Sequence, residues 1–207
     1  MISFQEANLI DVIKGMIARK TTDTNKIYIA HGCNCFAAMG AGFAAQVARH
    51  FPAAEKADRL YAKEFKTEVD KETHQLGTLS AAEIGHGTVM FNLYSQLYPG
   101  ADFRLDAFER AFDDMMLRLE EAHNTEDVKP LVLMPRIGAG IGGGKWEEIL
   151  EVIKNYENVA DIIVFDYKPL VIVSSCKTHY EDHSPFVSTK AEDVDLARYM
   201  VEDVEQD

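Results

Sequence analysis

The sequence predicts an α/β domain, and three observations carry that prediction. Short, continuous apolar runs recur at Ile27 to Ala30, Leu131 to Met134 and Ile162 to Phe165, as expected of strands buried on both faces. Segments with apolar residues at helical spacing separate them. Two of the runs are followed by glycine-rich stretches that open helix-like segments, so strand, glycine loop and helix recur in the order a parallel crossover needs.

Taken in order, Leu9, Val12, Ile13, Met16 and Ile17 form a first helical stripe, closed by the turn-forming Thr21-Thr22-Asp23-Thr24-Asn25. Lys26 to Ala30 reads as a buried strand. Met39-Gly40-Ala41-Gly42-Phe43-Ala44 then starts a helix in which Phe43, Val47 and Phe51 recur every four residues, and Pro52 ends it. Ala54 to Phe65 is a further helix. Leu76 to Glu83 and Thr88 to Tyr94 are β-like runs joined through Ile84-Gly85-His86-Gly87, a hairpin turn that adds an antiparallel pair. Leu105, Phe108, Phe112, Met115, Met116 and Leu119 make the clearest amphipathic stripe of the chain, ending near His123-Asn124. The strand Leu131 to Met134, the helix Trp146 to Ile153 and the strand Ile162 to Phe165 complete the pattern. Leu170 to Val173 is one more candidate strand.

A chain of 207 residues with 47% hydrophobic content is enough for one well-filled core. Beyond Lys168, only Lys177, Lys190 and Arg198 offset an acidic majority, which reads as a solvated appendage. The net charge of −13 argues against an extended nucleic-acid surface, because a phosphate backbone is held by Lys and Arg. No apolar run is long enough to span a membrane and no leader pattern opens the sequence, so a cytoplasmic location is expected. Cys33-x-Cys35 lacks the two-residue gap of a redox or zinc motif, which leaves these thiols packing or lining roles. Cys176-x-x-His179-x-x-x-His183 lacks a second cysteine at zinc-finger spacing, so no metal and no cofactor are expected.

The chemistry is concentrated in the glycines. Ile137 to Gly144 reads I-G-A-G-I-G-G-G between an apolar run and a helix. Glycines let backbone N–H groups converge on an anion without interference from Cβ, and the helix N-terminus adds unpaired donors and a positive dipole end. The earlier stretch around Gly40 and Gly42 has the same context, and two such cradles suit a pyrophosphate. Gly138-x-Gly140-x-x-Gly143 also matches the dinucleotide fingerprint, but it lies too late in the chain to open a Rossmann fold. The triphosphate P-loop fails at Ala139 and Trp146.

With their flanks, the two loops resemble the macro domain family. Its members carry an Asn-rich motif after a strand, a Gly-rich turn and a later Pro-x-x-Gly-x-Gly loop; here stand Asn34, Gly40-Ala41-Gly42 and Pro135-Arg136-Ile137-Gly138-Ala139-Gly140. His31-Gly32-Cys33-Asn34-Cys35 and Gly140-Ile141 through Trp146 are most similar to the yeast-type ADP-ribose 1''-phosphate phosphatases within that family. The resemblance covers roughly residues 3 to 167. It implies a three-layer α/β/α macro-type domain with a mixed, largely parallel central sheet over residues 1–168, followed by an acidic C-terminal extension at 169–207.

The resemblance also implies a ligand, ADP-ribose or ADP-ribose 1''-phosphate. Met39, Gly40, Ala41, Gly42 and Phe43, with Gly138, Ala139, Gly140, Ile141 and Gly142, would wrap the two phosphates, and Asn34 would hold the distal ribose. Asn8 matches the family's adenine-contacting Asp, and Phe165 matches an aromatic that packs on adenine, although a plain core role suits it equally. His31 would be catalytic: an imidazole with a pKa near neutrality either protonates a leaving ribose oxygen or attacks phosphorus. The Lys and Asp used by one glutamate-deconjugating subgroup are replaced by Ser95-Gln96 and Gly142. The expected activity is therefore removal of the 1''-phosphate, with mono-ADP-ribosyl hydrolysis on macromolecules and non-catalytic ADP-ribose reading as alternatives. His86 and Lys145 read as surface residues, while Arg136 precedes the second loop.

Overall fold

The computed structural model describes residues 1–19, 27–123 and 129–166. In chain order these form β1 (Ile2–Glu6), α1 (Leu9–Ala18), β2 (Ile27–Asn34), α2 (Gly42–His50) and α3 (Pro52–Ala62). Next come α4 (Glu68–Asp70), a single turn continued by a π-helical turn at Lys71–Gln75, and the hairpin β3 (Leu79–Gly85) and β4 (Thr88–Gln96). The order closes with α5 (Leu105–His123), β5 (Leu131–Pro135), α6 (Trp146–Lys154) and β6 (Asp161–Asp166). The expected turn at 21–25, the run Leu170 to Val173, the Cys176 to His183 cluster and the acidic extension lie outside the described residues.

One sheet holds all six strands in the order β1-β6-β5-β2-β4-β3. Every neighbouring pair is parallel except β3 with β4. The mixed, largely parallel sheet is thus the one expected, and its helices cover both faces.

Alternation along the strands sorts the core into two layers. Tyr28 and Ala30 of β2, Val132 and Met134 of β5, and Ile162 and Val164 of β6 pack under α5 and α6 with Phe108, Phe112, Met115, Ile149 and Ile153. The residues between them, Ile29, Leu131, Leu133, Ile163 and Phe165, face the other way and meet Leu9, Ile10, Ile13 and Met16 of α1 and Val47 of α2. His31 continues the row begun by Ile29 and so points toward the α2 and α3 side.

Several boundaries differ from the sequence reading, each for a local reason. The edge strand β1 was not anticipated: only five residues long, it alternates apolar with polar side chains and gains its order by pairing with β6. Pro52 both ends α2 and opens α3, since its missing N–H and fixed φ suit the first turn. β3 starts at Leu79 instead of Leu76 because Gly77, at φ +87°, turns the chain where the Arg110 guanidinium packs against it. Thr67 caps α4 by accepting from the Asp70 amide at 3.0 Å, in a stretch between Phe65 and Leu76 to which the sequence reading assigns no element. The hairpin turn itself stands as expected, with His86 and Gly87 both at positive φ.

Phe112 is fully buried, stacked on Phe108 and edge-on to Tyr156. Phe112→Ala is expected to cost about 3–5 kcal/mol, the range for emptying an aromatic site in a packed core, as read from urea unfolding.

Candidate functional site

β2 and β5 are neighbours, yet the chain leaves them in opposite directions: β2 leads toward β3 and β4, β5 toward β6. Such a reversal opens a crevice beyond the carboxyl ends of the strands, where ligands of open α/β sheets bind. Both glycine loops leave from these two strands. Between them lies a cleft of about 270 Å³.

The first loop contributes Ala38, Met39, Ala41, Gly42, Phe43 and Ala44 to the wall, the second Gly138, Gly140, Ile141 and Gly142. Among the described residues, no backbone N–H from Met39 to Phe43 or from Gly138 to Gly142 donates to a protein acceptor. Two rows of unpaired amides thus border one cleft, an arrangement that suits an anion with several oxygens. The loops meet where Gly42, at φ +58°, lies within contact reach of the exposed Ile141.

The glycines of the second loop have two different reasons to be glycine. A Cβ on Gly138 or Gly144 would sit 2.4 Å from the Phe103 ring, and one on Gly142 would sit 3.0 Å from the Gly138 carbonyl oxygen. These three let the loop fold down onto Phe103, whose own N–H donates to the Gly142 carbonyl at 3.0 Å. Gly140 has nothing within 4 Å of such a Cβ and opens on the cleft.

At the inner end of the cleft lie His31, Cys33, Asn34 and Asp58. His31 Nε2 stands 2.7 Å from Asn92 Oδ1, and the Asn92 amide nitrogen donates to the Ala54 carbonyl and to Ser80 Oγ, both at 3.0 Å. A carbonyl only accepts, so this orientation of Asn92 is fixed and Nε2 of His31 must carry the proton. Nδ1 is left with its lone pair, 3.7 Å from Cys33 Sγ. Burial lowers the His31 pKa to about 4 against the raising effect of the Asn92 contact, which keeps the ring neutral.

The chain continues from Asn92. Ser80 Oγ and Tyr94 Oη are 3.0 Å apart, and Tyr94 Oη donates to Asp58 Oδ1 at 2.9 Å. Because the single Tyr94 proton goes to Asp58, the Ser80 proton points to Tyr94, and every donor in the series is directed toward Asp58. Asp58 is wholly buried on α3, and its Oδ2 has no partner. Burial raises its pKa to about 6, partly opposed by the Tyr94 hydrogen bond.

No family model matches the sequence. The chain is 37% identical over 166 residues to an uncharacterized 17.5 kDa protein of the tk-vs intergenic region of Enterobacteria phage T4, covering 79% of this chain and 99% of that protein. It is 28% identical over 179 residues to an ADP-ribose 1''-phosphate phosphatase of Meyerozyma guilliermondii, covering 75% and 98%, and 24% identical over 156 residues to that of Candida albicans, covering 73% and 96%. A macrodomain protein of Streptomyces coelicolor superposes with a TM-score of 0.60 at 22% identity, over 81% of this chain and 100% of that one. The macrodomain of Mycobacterium tuberculosis DarG gives 0.59 at 19% identity, over 80% and 97%. The chain has the macrodomain fold.

In this macrodomain the cleft brings together most of the site residues expected from sequence, and leaves four aside. Asn8 caps α1, accepting from the Ile10 amide at 3.1 Å and donating to Asp11 at 2.9 Å, and lies off the cleft wall. Phe165 is buried in the α1 layer because its register position on β6 points inward. Gly40 and Ala139, although within the loops, are not among the residues of the cleft wall. Asn34 lines the cleft, but its Oδ1 accepts from the Phe36 and Ala38 amides and its Nδ2 donates to the Ala38 carbonyl. This clamps the turn through Ala37, at φ +53°, and leaves one amide hydrogen free for a ligand. The expectation of a near-neutral His31 pKa is corrected by its burial.

Asp58 was missed from sequence. Its only signal is an acidic residue on the inward face of α3, four residues after the buried Ala54. Arg136 lines the cleft while pairing with Asp166 and lying over Trp146 and Phe4 at 5.2 and 5.9 Å. Lys145 is exposed and pairs with Glu148 at 2.8 Å. Among the described residues no His, Cys, Asp and Glu cluster could hold a metal ion, and no helix is long and apolar enough to cross a membrane.

His31 and Asp58 bias stability in opposite directions. Between about pH 4 and 6 the folded protein keeps a proton on Asp58 and none on His31, while the unfolded chain, with values of 3.8 and 6.5, does the reverse. Bound protons are equal in number, so this pair leaves wild-type stability nearly flat in that window. In His31→Gln only Asp58 remains, and stability should fall as pH rises from about 4 to 6. In Asp58→Asn only His31 remains, and stability should fall as pH drops from 6.5 to about 4, each change being on the order of 3 kcal/mol. Urea unfolding of both variants at several pH values across the window checks the two signs.

Proposed function

We propose that this macrodomain binds ADP-ribose across the two glycine loops and hydrolyses the 1''-phosphate of ADP-ribose 1''-phosphate to ADP-ribose and phosphate. The observation that carries the reading is the pair of unpaired amide rows on loops leaving adjacent strands. Two such rows suit the two phosphates of a diphosphate, and they supply donors without requiring a net positive charge. The activity named for the two yeast relatives supports the choice of substrate.

His31 is the nucleophile in this reading. A neutral imidazole with its Nε2 proton held by Asn92 presents Nδ1 as a lone pair, and that lone pair attacks phosphorus. The bond between phosphorus and the ribose O1'' breaks, and the leaving oxygen takes up a proton. Water then cleaves the phosphoimidazole, releasing phosphate and restoring His31. Asn34 holds the ribose through its remaining amide hydrogen, and the loop amides offset charge on the transferring group.

Calorimetry with ADP-ribose and a phosphate-release assay on ADP-ribose 1''-phosphate test binding and chemistry together. Gly140→Val should stay folded, since a Cβ there has no protein atom within 4 Å, and should lose ADP-ribose affinity by more than tenfold by occupying the cleft. Gly138→Ala should instead lower stability, by driving Cβ into Phe103 at a backbone of φ +77°. Wild-type affinity in folded Gly140→Val would sink the two-cradle reading.

His31→Ala should lower turnover by about 10²–10⁴-fold while ADP-ribose affinity changes less than tenfold. Full activity in that variant would make the histidine structural. A wild-type protein that binds ADP-ribose but releases no phosphate would move the assignment to an ADP-ribosyl hydrolase or a reader.

A further inference from the structure

The phosphatase reading needs a proton for the departing ribose oxygen, and His31 is unable to provide it. Its Nε2 proton is committed to Asn92, and its neutral Nδ1 has none to give. Of the other titratable groups at the inner end of the cleft, Cys33 is buried, which pushes its thiol well above the usual range. Arg136 is bound to Asp166. One group is left.

Resting on that reading, we propose that Asp58 is the general acid–base of the cleft, donating its proton to O1'' as the phosphorus–oxygen bond breaks and recovering one from the water that cleaves the phosphoimidazole. Its geometry separates the two carboxyl oxygens by function. Oδ1 is held by Tyr94 at 2.9 Å, at the end of the series that runs from His31 through Asn92 and Ser80. Oδ2 is buried, has no partner in the protein, and belongs to a residue of the cleft wall. A wholly buried carboxyl oxygen left unpaired is costly, and a ligand group that exchanges a proton with it supplies the missing partner.

The proton bookkeeping closes within the two residues. In the first step His31 Nδ1 gains the phosphoryl group, O1'' gains the Asp58 proton, and Asp58 becomes a carboxylate. In the second, Asp58 takes a proton from the attacking water and His31 returns to its neutral form. Burial is what raises the Asp58 pKa to about 6; Tyr94 from β4, Arg59 on its own helix and Lys71 from the π-helical turn pull it back down, while Glu55 on the same helix adds to the rise. From β2 and the residue beyond it, Cys33 and Cys35 also face the carboxylate. A carboxyl group in this range is a workable acid and base near neutrality.

The test is the pH dependence of phosphate release from ADP-ribose 1''-phosphate by wild type, Asp58→Asn and Tyr94→Phe. Asparagine keeps the shape and still accepts from Tyr94, but carries no titrating proton. Its kcat is expected to drop by about 10²–10⁴-fold with KM and ADP-ribose affinity within tenfold of wild type. Wild-type kcat should fall as pH rises through about 6, and that limb should be absent from Asp58→Asn. Tyr94→Phe removes a hydrogen bond that lowers the Asp58 pKa, so its limb should move to higher pH than that of wild type. An Asp58→Asn enzyme with wild-type kcat and an unchanged limb overturns the proposal while leaving the phosphatase reading intact.

If wild type releases no phosphate, the phosphatase reading fails, and the same comparison is made on release of ADP-ribose from an ADP-ribosylated glutamate ester. Loss of that activity in Asp58→Asn supports the acid–base role. A wild type inert on both substrates overturns it.

Discussion

The parallel pairing of β2 with β5 is the constraint on which the site depends. Ile27, Tyr28 and Ile29 stand opposite Leu131, Val132 and Leu133, so two strands about a hundred residues apart end side by side. Their onward connections diverge, and the gap they leave has a glycine loop on either side. Without that pairing the two rows of free amides would belong to unrelated turns. The second loop is then shaped by one side chain, Phe103, against which Gly138 and Gly144 close at distances that no Cβ could share.

A second feature follows from the way α3 crosses the sheet. Asp58, Tyr94, Ser80, Asn92 and His31 are all buried between that helix and strands β2, β3 and β4. Burying five polar side chains is costly unless each finds partners. Here they satisfy one another in a directed series, with Ala54 of the same helix accepting the spare Asn92 hydrogen. At its two ends stand Oδ2 of Asp58, which has no partner, and Nδ1 of His31, whose lone pair meets Cys33 Sγ at 3.7 Å. Both residues border the cleft. The same burial that orders the series drives His31 toward neutrality and Asp58 toward protonation, so one physical cause sets both ends.

The chain carries a net charge of −13, yet its cleft is lined by donors suited to an anion. These donors are backbone dipoles rather than side-chain cations, and the nearest guanidinium, Arg136, is already matched by Asp166. Oriented amides act at short range and are screened less than a long-range surface field, so an acidic exterior and an anion-binding interior coexist.

The sequence by itself determined the class of the fold, five of the six strands, the main helices and the identity of both loops. Each is announced locally, through strand runs, the Phe108 to Leu119 stripe and glycines next to helix starts. It left out β1, whose order comes from its partner β6 instead of its own composition, and it gave Leu76 to a strand that the turn at Gly77 delays. Strand order was decided only in three dimensions, because parallel partners are chosen by packing across long separations. The protonation states were decided there too: nothing in the residues around His31 reports that Asn92 will hold its Nε2 or that burial will lower its pKa to about 4. Asp58 shows the same limit, since a charged residue inside a charged helix looks solvated until the fold turns that face toward the sheet.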